Sequence, residues 1–319
     1  MFETHIGEDL QQAKQLLEAG ELVAIPTETV YGLAANALNT NAVAKIFEAK
    51  NRPHFDPLIV HLKSVAEIPI YAEQLSDLGL QLAQQFMPGA LTLLVPKKDI
   101  IPDLVTSGLS TVGLRIPNHP LTLKLLNILS FPLAAPSANP FGYISPTTAQ
   151  HVAAQLHGKL PYILNGGNCN IGVESTIVEA KENEIIVHRL GGVSVEELQT
   201  VCPNITLHIN QSSNPGTPGK LLSHYAPKKQ LFFSNNIEAL VKEHLPKNIA
   251  VITFHTTAIA NATAFPLSVN KDLKEASANL FTTMRQLDQS NFDVLLAEYF
   301  PDEGLGKAIN DRLQRASFL

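Results

Sequence analysis

The stretch "KNRPHFDPLIVH", residues 50 to 61, sets Lys50 and Arg52 two positions apart and runs through Pro53 into apolar Leu58-Ile59-Val60, closed by His61. Lysine is a mobile point charge and arginine a flat, bidentate fork, so the two together suit a polyphosphate. A solvated surface pair is the bland alternative, because exposed charges contribute little. Three further segments couple a strand end to small hydroxyl residues or to a cation: "PTETVYGL" (26–33), "STVGLRIP" (110–117) with "APSAN" (135–139), and "GVESTIV" (172–178) with Arg189. Thr27, Thr29, Ser137, Ser145 and Ser175 offer hydroxyls and adjacent backbone donors, which can hold an anion where no phosphate loop exists. Any one of them alone is more often a turn residue. Arg115, in an apolar run, suits a small carboxylate, since a buried guanidinium without a partner is costly. Glu28 and Glu174 are the internal partners that would turn these arginines into ordinary ion pairs. The chemistry read from these residues is an anion site for a nucleotide and a small acid. His61 is the best titratable candidate by type, although a histidine at a strand end is more often packed. No acid/base dyad, triad or covalent nucleophile is evident, and nucleotidyl transfer needs none, because alignment and charge neutralisation supply most of the catalysis.

The elements that must position these residues follow from pattern. Residues 8–19 carry helical spacing (Leu10, Ala13, Leu16, Leu17) before Gly20, a C-cap glycine. "ELVAIPT" is a short buried strand broken by Pro26. Asn41 opens a helix whose Val43, Ile46 and Phe47 share a face, and Lys50 closes it, where a cation favours the helix dipole. "PLIVHL", "ALTLLVP", "TVGLRIP" and "FPLAAPSAN" are strands, "HPLTLKLLNIL" and "SPTTAQHVAAQL" helices, and "STIVEA" with "EIIVHRLG" a hairpin-like pair. The fold class is α/β, a twisted open mixed sheet flanked by helices. Residues 1–208 form this first domain. A Ser-, Asn-, Pro- and Gly-rich stretch over 209–228 is the linker, although Lys220, His224 and Tyr225 are too particular for a spacer. Residues 229–319 form a smaller, Rossmann-like α/β domain. Neither GxGxxG after the first strand nor GxxxxGK[ST] is present, so no dinucleotide fingerprint or P-loop can be claimed.

Composition narrows the class. Of 319 residues, 45% are hydrophobic and 16% charged, and no apolar run is long enough to cross a bilayer. The polar, acidic start predicts no signal peptide, and cytoplasm is the default. Two cysteines, Cys169 and Cys202, lack metal-ligand spacing and read as packing residues. A net charge of −6, with only Arg52, Arg115 and Arg189 ahead of residue 210, argues against nonspecific nucleic-acid binding.

"PTETVYGLAANA", "IFEAKNRPHFDPLIVHL", "MPGALTLLV", "TVGLRIPNH", "APSANPFGYISPTTAQHV" and "GVESTIV", in this order over residues 8 to 200, resemble the YrdC-domain family. With "PGKLLSHYAP" and the ending "GLGKAINDRLQRAS", the chain is similar to that family's longer, two-domain threonylcarbamoyl-AMP synthases. The resemblance implies a nucleotidyltransferase that makes L-threonylcarbamoyladenylate from L-threonine, bicarbonate or CO2, and ATP, releasing pyrophosphate. Downstream proteins then transfer the group to tRNA beside the anticodon, with direct tRNA binding weak or absent. Position by position, it implies ATP contacts from Lys50, Arg52, Asp56, Thr111, Ser137, Asn139, Ser145, Arg189, His224 and Tyr225, with Lys50 and Arg52 neutralising the triphosphate. Threonine contacts would come from Thr29, Tyr31, His61, Arg115, the backbone at Ala135, and Ser175. Mg2+ would arrive with ATP, held by phosphate oxygens and water rather than by a carboxylate cluster. Asp56 stands where the family commonly has asparagine, so either Mg2+ lies near it or it faces away. The linker would fold back over the pocket, placing His224 and Tyr225 there.

Three other readings compete. A carbamoyl-adenylate enzyme of hydrogenase maturation would carry zinc-finger cysteines, which are missing. A YrdC-like RNA-binding or ribosome-associated module without catalysis is the alternative from a different class. A purely structural reading pairs the arginines with Glu28 and Glu174.

Overall fold

The computed structural model describes residues 3–209 and 224–317, so Lys220 and most of the expected linker lie outside the described residues. Eleven strands make one mixed sheet. From edge to edge they are His5–Gly7, Tyr162–Leu164, Val23–Ile25, Gly32–Asn36, Leu133–Ala134, Ile59–His61, Thr111–Arg115, Leu91–Pro96, Thr176–Ala180, Ile185–Arg189 and Ile205–Leu207. Helices pack on this sheet around a core that includes Leu33, Val43, Ile46, Phe47, Val60 and Leu114. A second sheet of four parallel strands, Leu231–Ser234, Val294–Glu298, Ile249–Thr253 and Thr263–Pro266, follows in the C-terminal part. Among the described residues, no helix is long and apolar enough to cross a membrane.

Local sequence explains the pieces that carry the site. The first helix, Leu10–Glu18, is capped by Asp9 and is followed by Gly20 at φ 74°, a left-handed position glycine adopts without strain. The next helix spans Thr40–Lys50 and is capped by Asn39, whose side chain accepts from the Asn41 and Ala42 amides, so the expected start at Asn41 moves by one residue. Asn51 ends it in the left-handed region, which turns Arg52 inward. "STIVEA" and "EIIVHRLG" pair antiparallel as expected. The Leu133–Ala134 strand is only two residues long; Pro136, which lacks an N–H, ends the regular ladder, though its carbonyl still accepts from the Leu33 amide (2.7 Å) and Ser137 still bridges Gly32.

The two parts of the chain share a core. Val30, Ile144 and Val173 pack in one cluster with Tyr225, Leu280, Phe281 and Met284. Gly172, at φ 78°, lets the helix Leu273–Asp288 approach closely, for a Cβ there would stand 2.3 Å from the Ser277 carbonyl oxygen. Ser277 Oγ donates to Ile171 O (2.6 Å), and Arg285 donates to Ser145 O (3.2 Å) and to Ile144 O.

Candidate active site

Sheet register gathers the site. The strands Ile59–His61 and Thr111–Arg115 run parallel with His61 opposite Arg115, and the antiparallel hairpin sets Arg189 opposite Ile177, two residues beyond Ser175. Ala135 joins by donating its amide to Ile59 O (3.0 Å). The resulting cavity holds about 520 Å3 of atom-free space, counting what opens to solvent. Its walls include Thr29, Arg52, His61, Arg115, Ala135, Ser137, Ser175, Arg189, His224 and Tyr225, all of them residues expected from the sequence, together with Glu174.

The cations are compensated within the protein. Arg115 Nη2 donates to Glu28 Oε1 (2.7 Å) and Thr29 Oγ1 (2.9 Å), and Nε donates to Gly89 O (3.2 Å). Arg52 donates to Asp56 O (3.0 Å) and Pro57 O (2.9 Å), and its Nη2 lies 2.8 Å from Asp56 Oδ2. Arg189 donates through Nε and Nη2 to Ser175 O (3.0 and 2.8 Å) and through Nη2 to Ser175 Oγ (3.1 Å). The structural reading of the arginines is thus half right. Glu28 does pair with Arg115, but Glu174 pairs with Arg312, a residue the sequence reading gave no role.

Burial sets the protonation states. Burial, with the Arg115 charge beside it, pushes His61 down to about 3, so its imidazole is neutral and its buried Nδ1 lacks a hydrogen-bond partner among the described residues. Burial likewise takes His224 to about 3, helped by Arg52, Lys50 and Arg312 against the pull of Glu174. Burial raises Tyr225 to about 12, and its hydroxyl is without a described partner. Burial would raise Glu174, but the Arg312 and Arg189 charges outweigh it and hold the carboxyl below its usual range. Asp56 is pushed up by burial against the opposing pull of Arg52.

Other expected residues fall elsewhere. Lys50 is buried and does not line the cavity; its ammonium donates to Ser137 O and Asn139 O (2.5 Å each) rather than to its own helix end. Burial and the neighbouring Arg52 push it well below the usual lysine value. Asn139 supports the same loop, donating to Pro140 O (2.9 Å) and Tyr143 O (2.8 Å). Ser145 does not line the cavity, and its hydroxyl donates to Glu174 Oε1 (2.5 Å). Tyr31 braces the turn at 166–167, its hydroxyl donating to Gly167 O (2.8 Å) and accepting from Gly166 N (3.2 Å). Thr111 opens the strand that Arg115 closes, roughly 13 Å away along the strand, and lines a separate groove with Gln74 and Glu179. Asp56 does not line the cavity and pairs with Arg52. Both cysteines are buried thiols, and burial pushes Cys169 up to about 12, far from a nucleophile.

Arg312 is what sequence reasoning missed. It projects from the helix Gly306–Ala316 of the C-terminal part, fully buried, with Nε 2.7 Å from Glu174 Oε2, Nη2 donating to Leu190 O (2.9 Å), and its guanidinium 4.9 Å from the Tyr225 ring centroid. Arg315 O of the same helix accepts the His224 amide (3.2 Å). The available signal was the motif "GLGKAINDRLQRAS", whose arginines occupy the buried face of a helix.

A mixed-sheet α/β domain with guanidinium, hydroxyl and neutral imidazole groups around one cavity, followed by a second α/β domain, defines a two-domain protein of YrdC-like fold. A family model described as telomere recombination (Sua5, YciO and YrdC) matches residues 15–191, and one described as the threonylcarbamoyl-AMP synthase C-terminal domain matches residues 193–317. The chain is 38% identical over 315 residues to a threonylcarbamoyl-AMP synthase of Pyrococcus abyssi, covering 96% of this chain and 93% of the relative. It is 39% identical over 322 residues to the protein of that name in Bacillus subtilis, covering 97% and 92%. The solved structure of P. abyssi Sua5 complexed with L-threonine superposes with a TM-score of 0.90 at 37% identity, covering 99% of this chain and 97% of that one. Escherichia coli YciO, at 19% identity and a TM-score of 0.52 over 60% of this chain, shares the fold alone. The chain belongs to the Sua5/YrdC family in its two-domain form, and it is an enzyme of the nucleotidyltransferase class.

Proposed function

We propose that this enzyme condenses L-threonine, bicarbonate or CO2, and ATP into L-threonylcarbamoyladenylate and pyrophosphate, for modification of tRNA beside the anticodon. The observation that carries this reading is the convergence of Arg52, Arg115 and Arg189 with Thr29, Ser137 and Ser175 on one buried cavity, in a chain whose full length matches synthases of that name. Arg115, with Nε and Nη2 engaged by its own chain, retains Nη1 for the threonine carboxylate, and Thr29 stands beside it. Arg52 and Arg189 face the phosphates. The threonine amine loses a proton and attacks CO2, and the carbamate oxygen then attacks the α-phosphorus in line, breaking the bond to pyrophosphate. Neutral His61 adds no charge to the threonine side. A covalent nucleophile is not required, because positioned cations stabilise the charge that develops on the phosphoryl oxygens.

Mg2+ would enter with the triphosphate, held by phosphate oxygens and water. When bound it neutralises phosphate charge. The product then passes to proteins that transfer the threonylcarbamoyl group to tRNA, and the absence of a transmembrane helix among the described residues is compatible with cytoplasmic work. The test is pyrophosphate release with Mg2+-ATP, with L-threonine and bicarbonate each present or omitted and serine as control. Release that needs both supports the synthase, whereas release that needs neither overturns it.

A further inference from the structure

Resting on that reading, we infer that the C-terminal domain is a working part of the active site through Arg312, which positions Glu174 and Tyr225 for nucleotide binding. Arg312 touches no part of the cavity itself. Its guanidinium instead fixes two of the cavity's walls: Nε is 2.7 Å from Glu174 Oε2, and the cation lies 4.9 Å from the centroid of the Tyr225 ring, which stacks on Phe281 at 5.6 Å. Nη1 is paired with Asp311, which also pairs with Arg315, and the Arg315 carbonyl holds the His224 amide. One helix end therefore sets Glu174, Tyr225 and His224 together.

Anchoring alone does not call for this residue. The interface already has an apolar cluster built from both parts of the chain, the Ser277–Ile171 hydrogen bond, the Arg285 contacts with the 144–145 backbone, and the Lys307–Glu196 pair at its rim. A buried ion pair stabilises little more than a well-packed apolar pair would, because desolvation offsets its attraction. What Arg312 adds is direction. Glu174 is bonded on one oxygen by Arg312 and on the other by the Ser145 hydroxyl. Its carboxylate is thereby fixed in one orientation at the cavity wall. Without Arg312, Glu174 loses the partner that fixes one of its oxygens, and the Tyr225 ring loses the cation over its face. Arg312 is thus a positioning residue that acts through Glu174.

The test uses the full chain with Arg312→Gln, Arg312→Lys, Glu174→Gln and the Arg312→Gln/Glu174→Gln double variant. It reads hydrogen exchange of the unliganded proteins and kcat/KM for ATP in pyrophosphate release. Arg312→Gln should lower kcat/KM by about tenfold or more, mainly through KM, and speed exchange at amides 173–175 and 224–226 while amides 249–253 keep their protection. Arg312→Lys should recover most of the activity, and the double variant should be no worse than Arg312→Gln alone. Unchanged exchange and kcat/KM in Arg312→Gln overturns the inference. So does a loss that Arg312→Lys does not recover and that adds to the Glu174→Gln loss, which is the mark of a purely structural residue. If the wild type releases no pyrophosphate in response to threonine and bicarbonate, the synthase reading falls, and the exchange comparison still decides the role of Arg312.

Discussion

Arg115 Nη2 stands 2.7 Å from Glu28 Oε1, with both side chains almost fully buried. The arginine expected to receive a carboxylate thus already holds one from its own chain. Arg52 is arranged likewise against Asp56. A buried guanidinium needs an opposite charge close by, and these internal acids supply it.

Arg115→Gln leaves Glu28 buried without its ion-pair partner. We expect a loss of stability of about 3–5 kcal/mol, read by urea denaturation. Arg115→Lys keeps a charge but not the fork, so the fold should persist while KM for threonine rises. An unaltered threonine KM in a folded Arg115→Lys protein would argue against the carboxylate role.

The Asp56 carboxylate is an anion directed at Arg52, where phosphate is expected. Asp56→Asn should therefore tighten ATP binding, by ~1 kcal/mol for one like charge removed from the neighbourhood, measurable by calorimetry. Arg52→Ala should abolish most turnover. The double variant should be more stable than Arg52→Ala, because no buried carboxylate is left unpaired.

Lys50 connects a helix end to two carbonyls of the "SAN" turn. Replacing it with methionine leaves Ser137 O and Asn139 O without that donor, at about 1–3 kcal/mol for each orphaned group. Thermal unfolding should show the loss. Turnover should fall as well, because Ser137 is a cavity wall.

His61 and His224 are each held near 3 in the folded protein, against about 6.5 in the unfolded chain. The unfolded chain binds more protons between these values, so stability rises with pH across this window and is lost as pH falls from about 6.5 towards 3. The expected slope is of order 1 kcal/mol per pH unit for each histidine. Unfolding midpoints in urea at a series of pH values measure it, and His61→Asn should flatten the curve. Glu174, held low, adds a loss in the same direction at more acid pH.

Much of the site was legible because its chemistry travels in short contiguous words. Arg52 with His61, Arg115, Ser137 with Ala135, and Ser175 each sit in a motif whose strand end was visible from apolar runs and flanking proline. Lys50 was identified as a helix terminus correctly, yet its partners were not, since a side chain's acceptors lie wherever the fold brings backbone carbonyls. Thr111 and Arg115 share one strand and were read as neighbours in function, but a strand carries its two ends to different places.

The sequence by itself determined the element types, the cations and hydroxyls at strand ends, and the family. These depend on local periodicity, on turn chemistry and on residue order. The tertiary structure alone decided which groups meet. Register set His61 opposite Arg115, internal acids took up the empty cations, and Arg312 crossed 138 positions of chain to reach Glu174. Such pairings rest on the packing of distant segments, and no local pattern encodes them.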